Sequence, residues 1–120
     1  MAVTLLTNSS AVTAAVGVNV QTGTTYTPVL GDANNTLVTL SNASAITVTI
    51  PPNSSVAYPV GTVLNFSAIG AGQATFAQGS GVTIVSNGAT ASAPKLRVQY
   101  SAASAIQTLA NNWLIVGDIA

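Results

Sequence analysis

The stretch TLVTLSNASAITVTIPP, residues 36–52, decides the fold class. Thr36–Leu40 and Ile46–Ile50 both alternate small polar residues with aliphatic ones, which is the period of two that a half-buried strand requires. The segment SNAS between them is typical of a turn. Pro51 and Pro52 end the second run because proline has no N–H to donate to a ladder. Two short strands separated by a polar turn are therefore predicted.

The same pattern of short strands and turns continues along the chain toward the C-terminus. Asn87-Gly88 is the strongest short hairpin signal, and Asn111-Asn112 marks a turn before the last strand. Regular turn signals at a spacing of roughly 8–12 residues predict an all-β fold, a compact antiparallel β-sandwich or jelly-roll-like barrel. Further strands are predicted at residues 25–30, 56–58, 62–68, 73–77, 82–85, 96–100, 104–109 and 113–116.

The N-terminal segment, residues 1–23, has no clean period and mixes Val and Ala with Thr and Asn. Two interpretations remain open for this segment. It forms either the first strand of the domain or an extended N-terminal arm that adds to a neighbouring subunit. Residues 24–120 are predicted to form a single all-β domain.

Charged side chains are almost absent. Asp32, Lys95, Arg97 and Asp118 are the only ones, and the chain has no Glu, His or Cys. An ordinary soluble domain carries about 25% charged residues. Acid–base catalysis, metal binding and phosphate binding all need groups that this composition lacks. The chain is therefore predicted not to be an enzyme and to have no catalytic residue, cofactor, metal, nucleic-acid partner or membrane partner.

The four charged residues are candidates for fixing the register between strands or between chains. Asp32 lies in a Gly-Asp-Ala-Asn turn and Asp118 follows Gly117, so both are expected at turns or on the surface. Lys95 and Arg97 lie two apart, hence on one face of a predicted strand. They either pair with Asp32 or Asp118, or guard an edge strand against aggregation.

The large aromatic side chains are few and are predicted to be core or interface anchors. An alternative interpretation gives the three tyrosines and the tryptophan a role as stacking faces for sugars. The six aromatic residues are Tyr26, Tyr58, Phe66, Phe76, Tyr100 and Trp113.

The order of these segments resembles a β-rich module of structural proteins of tailed bacteriophages, found in fibres and related virion appendages. The likeness covers about residues 26–118. It is carried by DANNTLVTL followed by NASAITVTIPP, then by YPVGT, GAGQATF and GSGVTI, and by the closing WLIVGD. The whole ordered string is distinctive, whereas each piece alone is ordinary strand-and-turn sequence.

The resemblance implies a virion part that is often trimeric, with no catalytic residues. In fibres the module usually ends a long shaft, whereas here only the short segment before Tyr26 precedes it. It therefore looks like a homotrimeric capsid decoration (cement) protein, assembled in the bacterial cytoplasm and bound to the major capsid protein of the head shell. Residues 1–23 would then clamp adjacent capsid subunits. The alternative is a head- or tail-fibre domain that binds a host receptor or glycan.

Overall fold

The computed structural model of the protein describes residues 16–120 and is built almost entirely from strands, which confirms the all-β prediction. A short 3-10 helix, Leu30–Ala33, lies between the second and third strands. The strands are β1 Gly17–Gln21, β2 Thr25–Tyr26, β3 Thr36–Leu40, β4 Ile46–Ile50, β5 Val63–Ala68, β6 Ala74–Gln78, β7 Thr83–Val85, β8 Ala102–Leu109 and β9 Asn112–Gly117.

The strands form two sheets, and the chain alternates between them from β1 to β6. One sheet has the order β1-β3-β5-β8-β9-β7, and the other has the order β2-β4-β6. Each strand in this part of the chain therefore pairs with the strand two places further on. Leu37 aligns with Asn65 in one sheet and Ile46 with Ala74 in the other. The separation along the chain is the same for these two pairs, whereas it is shorter for β1 with β3 and for β2 with β4, so the path winds between the sheets and its length per turn is constant only from β3 to β6.

The prediction of antiparallel pairing was wrong for most of the fold. Of the strand pairs among residues 16–120, β5–β8 and β8–β9 are antiparallel and the other five are parallel. The physical reason is that the turn after β3 does not fold the chain back onto the same sheet but carries it across to the other one. Because a jelly roll is built from antiparallel strands, these parallel ladders do not match it.

A single hydrophobic core lies between the two sheets. Alternate residues of β4 and β5 point into it, as the period of two requires. The rings of Phe66 on β5 and Phe76 on β6 meet edge to face with centroids 5.1 Å apart, which joins the two sheets directly. Tyr58 and Trp113 make a second T-shaped contact at 5.5 Å. All four of these aromatic side chains are buried.

Several local predictions were wrong. Residues 56–58 form no strand, and residues 96–100 contribute only an isolated bridge at Leu96. Asn87-Gly88 makes no hairpin, since β7 pairs instead with β9 in parallel. A two-residue type I′ turn needs positive φ at both positions, and neither Asn87 nor Gly88 has it. Asn111 does have a positive φ, of 62°, and the predicted turn there connects β8 to β9.

The N-terminal segment is described only from residue 16. Gly17–Gln21 is strand β1, and it pairs in parallel with β3 at one edge of the six-stranded sheet. Residues 1–15, on which most of the predicted arm falls, lie outside the described residues. The division of the chain after residue 23 stays a prediction.

Candidate interaction surface

The outward surface of the six-stranded sheet carries many aliphatic side chains, with polar residues such as Asn65 and Ser104 among them. On each strand the residues between the core positions point outward, and the ladders align them across the sheet. One such row crosses five strands from Val18 on β1 to Val116 on β9. The aliphatic face, as we name it here, consists of Val18, Val20, Leu37, Val63, Val85, Ile106, Leu114 and Val116.

The aliphatic face is substantially exposed to solvent. Val18, Val20 and Val85 have more than half of their surface exposed, and Val63 and Val116 are 41% and 42% exposed. No charged residue lies on any strand of the described chain, so this face also lacks charge. Large contiguous apolar patches on a soluble protein are typical of interaction sites.

The outward surface of the three-stranded sheet is different. Thr25, Thr47 and Thr75 align in one row across β2, β4 and β6, and Thr49 follows on β4. Threonine suits an exposed strand position because its branched carbon favours the strand and its hydroxyl can bond to water. The two outer surfaces therefore differ in chemistry, and only the surface of the six-stranded sheet gains by being covered.

A shallow groove of about 520 Å³ lies in the aliphatic face. It crosses β3, β5, β8 and β9. Its aliphatic lining comes from Leu37, Val116 and Val16, which precedes β1. Near its middle the Ser104 hydroxyl donates a hydrogen bond of 2.6 Å to Oδ1 of Asn65. The groove is thus mostly apolar, with one internally bonded polar pair and no charged group among its lining residues.

Arg97 and Asp118 form an exposed ion pair. Nε and Nη2 of Arg97 donate to the two carboxylate oxygens at 2.6 and 3.1 Å, and the Ser101 hydroxyl donates to Oδ2 at 2.7 Å. Hydrogen bonding from Arg97 is the main cause that lowers the pKa of Asp118, and the carboxylate raises the pKa of Arg97. The pair ties the turn that follows Arg97 to the C-terminal residues, whereas Lys95 is exposed with no ion pair recorded among residues 16–120.

Asp32 is buried, which sequence reasoning missed. Its carboxylate accepts hydrogen bonds from the Tyr26 hydroxyl at 2.5 Å, Asn19 Nδ2 at 2.8 Å and the Val29 N–H at 3.0 Å. These donors come from β1, β2 and the start of the 3-10 helix, so one carboxylate joins three segments. The Asp32 cluster, as we name these four residues, satisfies a buried carboxyl group with hydrogen bonds, and no ion pair to Asp32 is present among residues 16–120.

Burial and the nearby Asp32 raise the pKa values of two tyrosines, Tyr26 and Tyr58. Burial is the largest cause that raises the pKa of Tyr26, followed by its hydrogen bond to Asp32. Burial likewise raises the pKa of Tyr58, with the Asp32 charge as the next cause. The Tyr58 hydroxyl donates a 2.6 Å hydrogen bond to the carbonyl oxygen of Val29. Both phenols are therefore bonded within the fold and are poorly placed to stack on a ligand.

Tyr100 is the exception among the predicted aromatic anchors, since it is 72% exposed. It also has a positive φ of 71°, which is costly for a bulky residue. Hydrogen bonds hold this conformation: the Tyr100 N–H donates to the Ala68 carbonyl at 2.6 Å, and Gln99 Nε2 donates to the Ile69 carbonyl at 2.9 Å. The turn thus presents one aromatic ring to solvent in a fixed backbone conformation.

The described residues contain no group of three potential metal ligands of the His, Cys, Asp and Glu types. Within the same part of the chain, no helix has the length and apolar character needed to cross a membrane. No protein-family model matches the chain, and no curated protein matches it either.

Proposed function

We propose that the protein is a non-enzymatic structural protein of a bacteriophage virion. Specifically, it is a homotrimeric decoration (cement) protein that binds the major capsid protein and stabilises the head shell. The single observation that carries the proposal is the aliphatic face, exposed and without charge on one side of the domain. In this proposal the protomer is a two-layer β-sandwich, and its aliphatic face is covered by other copies.

The energetics favour covering this face. Full burial of a valine or leucine side chain contributes about 1.5–3 kcal/mol. Five of the face's side chains are at least 41% exposed, so partial burial of each supplies several kcal/mol per protomer before association costs are deducted. The number of three copies comes from the resemblance described above. With no charge on the face, the association is expected to be insensitive to salt.

In the proposal, residues outside the aliphatic face bind the capsid shell. Since Gly17–Gln21 belongs to the protein's own sheet, a clamp on the capsid cannot use residues 17–21 as a free arm without unpairing β1. The exposed residues Ile69, Val98 and Tyr100, at two neighbouring turns, are a second apolar surface outside the strands. In the proposal these turns face the shell.

The test of assembly is sizing chromatography with light scattering at micromolar protomer concentration. The native chain should elute as a trimer at both low and high salt. Val116→Lys places a charge in the aliphatic face and should shift the population toward monomer. Thr47→Lys places the same charge on the opposite surface and should leave the trimer intact. A native monomer, or equal effects of the two variants, would contradict the proposal.

The test of shell binding uses capsids assembled without the protein. Added native protein should occupy the shell and raise the temperature at which the particles break. Tyr100→Ala should reduce occupancy while remaining trimeric in solution. Trimers that do not bind capsids would refute the decoration role without refuting self-assembly.

A second candidate function is a fibre domain that binds a host receptor or glycan, and Tyr100 is the observation that favours it. A rigid exposed aromatic ring is a suitable stacking face for a sugar. Glycan-array binding that is lost in Tyr100→Ala, together with no binding to capsids, would select this function over the first.

A further inference from the structure

We propose that the groove in the aliphatic face is the seat for the N-terminal segment, residues 1–15, of a neighbouring copy of the chain. The inference deepens the proposed function and rests on its claim that the protein self-associates. It assigns the occupant of the groove and makes the N-terminal segment part of the contact between copies rather than a clamp on the shell.

The place where the described chain begins supports this assignment. Val16 is the first described residue, and it forms part of the groove's wall. The residues before it therefore start at the groove's rim. Fifteen residues reach at most roughly 50 Å when extended, whereas six strands at about 4.8 Å spacing span roughly 24 Å. The segment is thus long enough to reach across to an adjacent sheet.

The chemistry of the segment matches the chemistry of the groove. Residues 1–15 contain no charged side chain, and their aliphatic residues Val3, Leu5, Leu6 and Val12 are separated by Thr, Ser and Asn. The groove is lined mainly by apolar residues, with Asn35 and the bonded pair Ser104 and Asn65 as its polar residues. An uncharged peptide entering such a groove avoids the cost of desolvating a charged side chain, which a charged peptide would incur.

A neighbouring copy is a better source of the segment than the same chain. Val16 leads directly into β1, which runs parallel to β3 at the edge of the sheet. To return over its own groove, the chain would have to reverse direction just before Val16. Residues 11–16, AVTAAV, contain no Gly, Pro, Asn, Asp or Ser to form a tight reversal, and the Gly17 that follows is already in β1. Continuing onward to the next copy needs no such turn, and around a threefold axis this head-to-tail exchange closes into a ring.

Disulfide trapping tests the assignment, because the native chain has no cysteine. One set of chains carries Val3→Cys, Leu6→Cys or Val12→Cys, and a second chain carries Ser104→Cys, a nearly isosteric change in the groove. The two variant chains of each pair are expressed separately, mixed so that they assemble together, and then mildly oxidised. Thr47→Cys, on the threonine surface, replaces Ser104→Cys as the matched control. Light scattering on the reduced samples reports the oligomeric state independently.

We expect at least one arm position to form a covalent dimer with Ser104→Cys and none to do so with Thr47→Cys. A double variant with both cysteines in one chain should then give covalent trimers. Trimers that form no link to Ser104→Cys overturn the inference and leave the proposed function standing, whereas monomers overturn both. Links only within one chain, or equal links to Thr47→Cys, also overturn the inference.

Discussion

Replacement of Asp32 by alanine is expected to destabilise the fold strongly, although the residue sits in a short turn. The substitution removes the acceptor for the Tyr26 hydroxyl, for one N–H of Asn19 and for the Val29 N–H. An orphaned buried donor costs about 1–3 kcal/mol. Tyr26 and Asn19 are only half-buried and can recover part of this from water. The expected loss is therefore about 2–4 kcal/mol, out of the roughly 5–15 kcal/mol of a typical domain.

Urea denaturation followed by fluorescence of the single tryptophan, buried Trp113, measures this loss. At a slope of about 2 kcal/mol per molar urea, the midpoint should fall by about 1–2 M. Protomer concentration must be held equal, because dissociation contributes to the apparent stability of an oligomer. Asp32→Asn retains the side-chain volume, but its NH2 group would face either Asn19 Nδ2 or the Tyr26 hydroxyl and the Val29 N–H together, so it should also lower the midpoint.

Asp118→Ala is the matched control, since it removes the other aspartate. Arg97 is exposed and water replaces its lost contacts, so the buried Ser101 hydroxyl is the single donor that loses its acceptor. The midpoint should therefore change much less than in Asp32→Ala. If the two alanine variants have equal midpoints, the Asp32 cluster contributes no more than a surface interaction, and the reasoning from burial is refuted.

Two further predictions concern alkaline pH and one glycine. The raised pKa values of Tyr26 and Tyr58 mean that the unfolded chain ionises first, so stability should be fully present below about pH 10 and fall above it. Tyr26→Phe should flatten this fall in urea midpoints measured between about pH 8 and about pH 11, and an unchanged slope would contradict it. A Cβ at buried Gly72 would overlap the Ser44 carbonyl oxygen and lie 2.6 Å from that of Asn42, whereas at Gly31 it meets nothing within 4 Å. Gly72→Ala should therefore reduce the yield of folded protein or the thermal midpoint sharply, while Gly31→Ala should not; equal behaviour of the two would count against the close packing of these turns.

Strand positions could be predicted from the sequence because alternation is a local property. β3 and β4 have the predicted bounds, since each is a short run of aliphatic residues and threonine closed by turn residues or proline, although only β4 alternates strictly. The direction of pairing could not be predicted in the same way, because parallel and antiparallel strands share the period of two. The winding path does leave a signal in the sequence: the segment LVTLSNASAITVTIP, residues 37–51, aligns without gaps with NFSAIGAGQATFAQG, residues 65–79, strand on strand and turn on turn.

The Asp32 cluster could not be predicted, because its two side-chain donors are not near neighbours of Asp32 along the chain. Asn19 and Tyr26 precede Asp32 by 13 and 6 positions, and they meet it only because β1 and β2 lie in different sheets at the same end of the core. The aliphatic face could not be predicted from the sequence for a different reason. β9 reads Trp-Leu-Ile-Val without alternation, and only the pairing of its neighbours shows that Leu114 and Val116 point away from the core.

The scarcity of charge has its clearest physical consequence at the edges of the six-stranded sheet. Natural sheets commonly protect edge strands with lysine, proline, bulges or a covering segment, because an open edge is a template for pairing with another chain. Here the edges are β1 and β7, which carry no charge and expose Val18, Val20 and Val85. Lys95, a candidate for guarding an edge strand, lies beside β6 at the edge of the three-stranded sheet, and Arg97 lies beside the C-terminal residues, so neither is at an edge of the six-stranded sheet. Within residues 16–120, an edge without charged residues that is continuous with an exposed aliphatic face is a liability for a free monomer. The same arrangement is an advantage for a protein whose edges and face are covered by identical copies, and this favours assembly as the normal state of the chain.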